Sequence, residues 1–148
     1  MKKEFMKKAL DLAEKAAENG DVPVGALLVR NGEIIGTGYN RREADKDPIA
    51  HAEIEAIQMG AKKLGDWHLE DCELYVTLEP CPMCAGAIIN SRIKRVYFGA
   101  YEPKSGSCSN DSVVNLFGMP FNHKPEVYGG ICEKECSEIL KKFFKDKR

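Results

Sequence analysis

His51 and Glu53 stand two positions apart, thirty residues ahead of Cys81, and Cys84 follows within the run Pro80-Cys81-Pro82-Met83-Cys84. One imidazole and two thiolates are borderline-soft donors that suit Zn²⁺. Three protein ligands leave a fourth tetrahedral position for water, as in a catalytic rather than a closed structural site. Two cysteines one turn apart at the opening of a helix point the same way, and a helix N-terminus favours their ionised forms. Glu53, beside the imidazole ligand, is placed to take a proton from the activated water and deliver it to a leaving amine.

Each fragment of this pattern has a plainer meaning when taken alone. A solitary Cys-x-x-Cys is equally a redox pair or half of a structural zinc site, and a solitary His is an ordinary polar residue. A thioredoxin-like chain would carry the cysteine pair near its first strand without a His-x-Glu partner. A metalloprotease would need His-Glu-x-x-His, which is absent here. Cys72, Cys108, Cys132, Cys136, His68 and His123 remain as candidates for a fourth protein ligand. Cys132 and Cys136 have helical i, i+4 spacing but read as small buried apolar groups near the last helix.

The elements that must position these residues follow from periodicity and punctuation. Residues 2–19 repeat apolar side chains at helical spacing and stop at Gly20. Residues 24–29 and 33–39 read as strands joined by Asn31-Gly32, a two-residue turn of type I′. A charged loop over 41–47 ends in Asp47-Pro48, a helix-start signal, and a helix over 50–64 ends at Gly65, opening beside His51. A buried strand over 74–78 leads to a helix that Pro80-Cys81-Pro82 opens and that runs through Ile89. Strands at 96–98 and 126–128 and a final amphipathic helix over 133–145 complete the chain, with an irregular Gly, Ser, Asn and Pro-rich stretch over 103–122. Strands alternating with helices predict a three-layer α/β/α sandwich around a mixed five-stranded sheet. The apolar face Ala85, Ala87, Ile88 and Ile89 reads as core, with contact to a second copy as the alternative.

A chain of 148 residues is expected to form one domain over 1–148, with a core large enough to need no disulfides. Its 43% hydrophobic and 30% charged residues exclude a disordered or low-complexity chain. No apolar run approaches the roughly 20 residues of a membrane span, so no membrane partner is expected. The charged start, Met1-Lys2-Lys3-Glu4, lacks the apolar segment of a signal peptide, and a cytoplasmic location with six reduced cysteines is expected. The net charge of −1 hides an asymmetry. Lys141, Lys142, Lys145, Lys147 and Arg148 against Asp146 give the last ten residues +4, which leaves −5 on the rest. With Phe143 and Phe144 alongside, that tail suits a nucleic-acid backbone and an exposed base, one Phe packing inward and the other stacking; a solvated helix face is the simpler reading.

The combination of Ala50-His51-Ala52-Glu53 with Pro80-Cys81-Pro82-Met83-Cys84 resembles the signature of the zinc-dependent nucleoside and nucleobase deaminases. The likeness extends along nearly the whole chain to the bacterial tRNA-specific adenosine deaminases. It is carried by Asp21-Val22-Pro23-Val24-Gly25-Ala26, Gly38-Tyr39-Asn40-Arg41, Leu74-Tyr75-Val76-Thr77-Leu78-Glu79, Cys84-Ala85-Gly86-Ala87-Ile88, Ser91-Arg92-Ile93, Phe98-Gly99-Ala100 and Phe121-Asn122-His123. The resemblance implies a cytidine-deaminase-like fold, a homodimer, one Zn²⁺ per subunit and no organic cofactor. It further implies conversion of adenosine to inosine at the wobble position of a tRNA anticodon, the partner being an anticodon stem-loop. His51, Cys81 and Cys84 would then hold the metal and Glu53 would shuttle protons. Asn40, Ala52, Glu102, Lys104, Asn122, Phe144, Lys147 and Arg148 would contact substrate. Glu102 stands where the family usually has Asp, and Lys147-Arg148 where Arg-Arg is common, both on the RNA side of the site. Two other readings share the motifs: a free-base deaminase acting on guanine or cytosine, and a catalytically silent, zinc-stabilised RNA-binding subunit. The silent subunit would have no use for Glu53.

Overall fold

Residues 26–29, 74–76 and 96–98 are apolar without interruption, and a strand of that kind is stable only where both of its faces are covered. The computed structural model describes residues 2–147 apart from 110 and 113. In it, helix α1 (Lys2–Glu18) leads into strands β1 (Gly25–Arg30) and β2 (Glu33–Tyr39). A one-turn helix α2 (Arg42–Asp45) precedes α3 (Ala52–Leu64), β3 (Cys72–Leu78), α4 (Pro82–Asn90) and β4 (Arg95–Ala100). A 3₁₀ turn (Leu116–Gly118), β5 (Glu126–Tyr128) and α5 (Glu133–Asp146) follow. The sheet order is β2-β1-β3-β4-β5, with β1 antiparallel to both neighbours and β3, β4 and β5 mutually parallel.

The pleat sends alternate residues to two separate cores. Ala26, Leu28, Leu74, Val76, Val96 and Phe98 pack with Ala52 and Ala56 of α3 and Ala85 and Ile88 of α4. Leu27, Val29, Tyr75 and Tyr97 pack on the other side with Phe5, Met6 and Ala9 of α1 and Cys136 of α5. The predicted α/β/α sandwich around a mixed five-stranded sheet is therefore present. Ala85, Ile88 and Ile89 belong to the chain's own core, as their first reading held, whereas Ala87 is only half-buried.

The Asn31-Gly32 turn has both residues at positive φ, 51° and 77°, as a type I′ hairpin requires. Gly36 and Gly38 let α3 lie directly on β2: a Cβ at either would collide with the carbonyl oxygen of Ala56 or Ala52. That close approach brings the start of α3, and His51 with it, to the sheet.

Two expectations are corrected. The segment 41–47 is not wholly loop, because Asp21, 3% exposed, accepts the Glu43 and Ala44 backbone N–H groups at 2.8 and 3.2 Å and organises α2 from outside. Asp47-Pro48 does not start the next helix either. The Asp47 carboxylate accepts the Ile49 N–H at 3.0 Å, residues 47–50 form a turn, and α3 begins only at Ala52 after an extended His51. Local side-chain acceptors compete with helix initiation in this way.

Candidate active site

β3 and β4 run parallel, so both end on one edge of the sheet, and the chain leaves β3 through Glu79-Pro80 straight into α4. Cys81 is the residue capping α4 and His51 the residue capping α3, each in extended conformation (ψ 172° and 152°). Proline at the first helical position suits the fixed φ of a helix start. Two helix N-termini thus converge, and both favour negative charge between them.

The His51 Nδ1 lies 3.7 Å from Cys81 Sγ and 3.5 Å from Cys84 Sγ. All three donor atoms fall within 4.8 Å of one another, the one group of three or more potential metal-ligating residues among the described residues. Zn–N and Zn–S bonds of about 2.0 and 2.3 Å at a tetrahedral angle place nitrogen and sulfur about 3.5 Å apart. The observed separations match that edge length.

Charge strengthens the fit. Hydrogen bonding from Cys84, and then from His51, pushes the Cys81 thiol down to about 4. The same contact with Cys81, with burial, holds Cys84 far above the ordinary thiol range. The two thiols share one hydrogen bond, which favours the thiolate at Cys81 and the protonated form at Cys84. A bound dication is what permits both thiolates, since a metal deprotonates its coordinating thiols outright. Hydrogen bonding with Cys81 raises the His51 imidazole, whose acceptor nitrogen must be free to bind metal.

Glu53 sits in the first turn of α3, 3% exposed. Burial, the largest influence, raises its carboxyl to about 7, where it can take and give a proton near neutral pH. Its Oε1 has no hydrogen-bond partner among the described residues, and Cys84 lies beside the carboxyl. A buried unpaired carboxylate oxygen is costly to maintain and is the mark of a group waiting for substrate or water.

None of the other sulfur and imidazole groups closes the site. Cys72 starts β3, at the end remote from Cys81. His68 pairs with Asp66, and His123 Nε2 bonds the Ile93 carbonyl at 2.6 Å. Cys136 is buried in the opposite core and Cys132 is half-buried. The buried Cys108 thiol donates to the Pro80 carbonyl.

The expected substrate contacts fall into three groups. Asn40 Oδ1 accepts the Ala52 N–H at 2.9 Å, so Asn40 caps α3, and its amide nitrogen makes no hydrogen bond among the described residues. Ala52 itself is fully buried and supports the site from the core. Glu102 turns its carboxylate onto the Lys104 N–H at 2.9 Å, closing a tight exposed turn, and Asn122 is exposed. At the tail Phe144 is 50% exposed, while Phe143, expected inside, is only half-buried, with Lys147 Nζ 5.4 Å above its ring. Arg148 lies outside the described residues. Glu79 carried no role in the sequence reading, yet it is buried and accepts several hydrogen bonds from the loop after β4.

Comparison with known proteins agrees with this geometry. A family model of the cytidine and deoxycytidylate deaminase zinc-binding region matches residues 1–100. A tRNA-specific adenosine deaminase of Bacillus subtilis is 51% identical over 144 residues, covering 97% of this chain and 89% of its own. A solved chain from a study of A-to-I editing by tRNA:A34 deaminases superposes with a TM-score of 0.88 at 46% identity, covering 93% of this chain and 99% of that one. A guanine deaminase from Bacillus subtilis is similar over 66% of this chain and 62% of its own, at 44% identity and a TM-score of 0.62. The chain belongs to the zinc-binding cytidine and deoxycytidylate deaminase family, and within it to the tRNA-specific adenosine deaminases.

Proposed function

We propose that the protein hydrolyses adenosine to inosine at the wobble position of a tRNA anticodon, releasing ammonia, as one deaminase domain over residues 1–148. The observation that carries this reading is the agreement over 93% of the chain with a tRNA:A34 deaminase, in a molecule whose His51, Cys81 and Cys84 converge beside the buried Glu53. His51 Nδ1, Cys81 Sγ and Cys84 Sγ hold zinc. When bound, zinc makes water a nucleophile near neutral pH. Glu53 would accept a proton from the attacking water at its unpaired Oε1 and pass it to the purine ring nitrogen, then carry a second proton from the hydroxyl on the tetrahedral carbon to the departing amino group. Asn40 offers its amide nitrogen to the base while its oxygen fixes the start of α3. The loop 102–104 and Asn122 flank the flipped nucleotide.

The tail completes the reading. α1 ends just before β1, whose first residue, Gly25, donates its N–H to Thr77 Oγ1 near the end of β3. Phe143 and Asp146 of α5 and Lys147, which caps it, share a groove with Ala17 and Glu18 at the end of α1 and Gly20 beyond it, on the side of the sheet where β1 begins and β3 ends. The prediction here is that Phe144→Ala combined with Lys147→Ala weakens anticodon stem-loop binding about tenfold, the value of about one stacked base. The slope of log K against log salt should shrink by about 0.7 to 1 for the lost cation, with zinc content unchanged. Equal affinity and equal slope in a filter-binding titration would reduce the tail to a solvated helix face.

The free-base reading draws on the 44% identity to a Bacillus subtilis guanine deaminase over 66% of this chain, against 51% identity to a tRNA-specific adenosine deaminase over 97% of it. Inosine formation on a panel of anticodon stem-loops, beside ammonia release from guanine and cytosine, decides the matter. Turnover confined to stem-loops carrying adenosine at the wobble position is expected, and turnover of the free bases with inert stem-loops is the contrary result. Homodimerisation belongs to the proposal, supported by Ile49 at 54% and Met83 at 36% exposure, large apolar side chains bordering the two ligand-bearing helices. A cytoplasmic location is proposed from the tRNA substrate and six free thiols. No helix among the described residues is long and apolar enough to cross a membrane.

A further inference from the structure

We propose that Glu79 is a positioning residue whose carboxylate clamps the 102–112 loop, which carries Glu102 and Lys104, onto the Glu79-Pro80 segment leading to Cys81, and so fixes the substrate-facing loop against the metal site. The inference rests on the deaminase reading and deepens it. Glu79 is 3% exposed and meets no cation among the described residues. Its partners are neutral donors drawn from one loop. The Glu102 N–H donates to Oε1 at 3.1 Å and the Cys108 N–H to Oε2 at 3.0 Å. The Ser109 hydroxyl donates to Oε2 at 3.3 Å and the Ser112 hydroxyl reaches the same oxygen. Gly106 leaves the room: a Cβ there would come within 2.5 Å of Glu79 Cδ and Oε1. A second attachment lies one residue on, where the Ser107 N–H and hydroxyl donate to the Pro80 carbonyl at 3.1 and 2.9 Å.

The chemistry explains why a carboxylate stands there. An ionised carboxylate is acceptor-only and can receive about four hydrogen bonds, whereas a carboxamide must turn an NH₂ toward one side. With three donors converging on Oε2, Glu79→Gln keeps its carbonyl there and sets its NH₂ against the Glu102 N–H. The substitution therefore severs the arm beside Glu102 and Lys104 while preserving volume. Outer partners of this kind are worth about 10 to 100-fold in function when removed from metal sites. Here the loss should fall on substrate capture, because the carboxylate grips the loop and not the ligands.

The test uses the zinc-loaded protein, with Glu79→Gln and separately Ser109→Ala combined with Ser112→Ala. For Glu79→Gln, amide exchange at Glu102 and Cys108 should accelerate at least tenfold, and KM for the stem-loop should rise about tenfold with kcat within threefold of the parent. The serine pair should show the same pattern more weakly, and it decides the question by the same readouts if Glu79→Gln does not fold. Unchanged exchange overturns the clamp, as does a fall in kcat with KM unmoved, or loss of zinc from either variant. A parent that does not turn over any stem-loop refutes the tRNA reading instead, and the exchange measurement then judges the clamp independently.

Discussion

Replacing Glu53 by Gln is expected to lower kcat by about 10³-fold or more while zinc content, melting temperature and stem-loop affinity stay close to the parent. The carboxyl is buried, so an isosteric amide fits the same space and removes a group whose ionised form burial disfavours. What disappears is the proton acceptor. A positioned general acid–base contributes about 10² to 10⁴-fold, and groups acting on one reacting centre lose nearly the whole effect when any one is removed. Glu53→Asp separates position from chemistry. It keeps a carboxylate but withdraws it by about one methylene, and a misplacement of that order costs about 10²-fold. The expected ranking is parent, then Asp, then Gln, in single-turnover measurements of inosine formation. Activity of Glu53→Gln within tenfold of the parent removes Glu53 from proton transfer.

The sequence discloses most about groups whose partners are near in the chain or share its periodicity. Asn31-Gly32 announced a hairpin because positive φ at both central residues is a local demand. The uninterrupted apolar strands announced burial on both faces, and Cys81 and Cys84, one turn apart at a helix start, announced a common target. His51 was legible only in combination, since its thirty-residue separation from Cys81 is bridged by the α3–β3 crossover and not by any local signal. What stayed hidden were polar groups whose partners come from distant segments. Asp21 organises α2 from over twenty positions away, and Glu79 collects donors twenty-three to thirty-three positions downstream. Asn40 resembled a base contact from its position in the family pattern, but nothing local revealed that its oxygen also caps α3. The signal that could have singled out Glu79 is its place two residues ahead of Cys81, directly before Pro80.

Stripping the metal with a strong chelator should abolish turnover, leave most secondary structure intact, and lower the melting temperature by roughly 10 °C, all three reversing on addition of stoichiometric zinc. Loss of activity follows from the donor set: among the described residues His51, Cys81 and Cys84 form the one cluster of potential metal ligands. Retention of the fold follows from the two cores, whose 18 and 9 buried residues do not include His51. The thermal shift follows from linkage. A ligand at about a thousandfold over its dissociation constant stabilises the native state by about 4 kcal/mol. For a chain of this size each kcal/mol moves the midpoint by about 2 to 4 °C. Acid should mimic the chelator, because the ligands bind metal only in their deprotonated forms and affinity falls as protons are retained. Cys84→Ser should bind zinc far more weakly than the parent even at alkaline pH, because it removes one of the two sulfur donors of the site. Calorimetry of zinc-loaded and stripped protein, with metal content measured in the same samples, checks the whole chain of inference, and full turnover in the stripped sample refutes it.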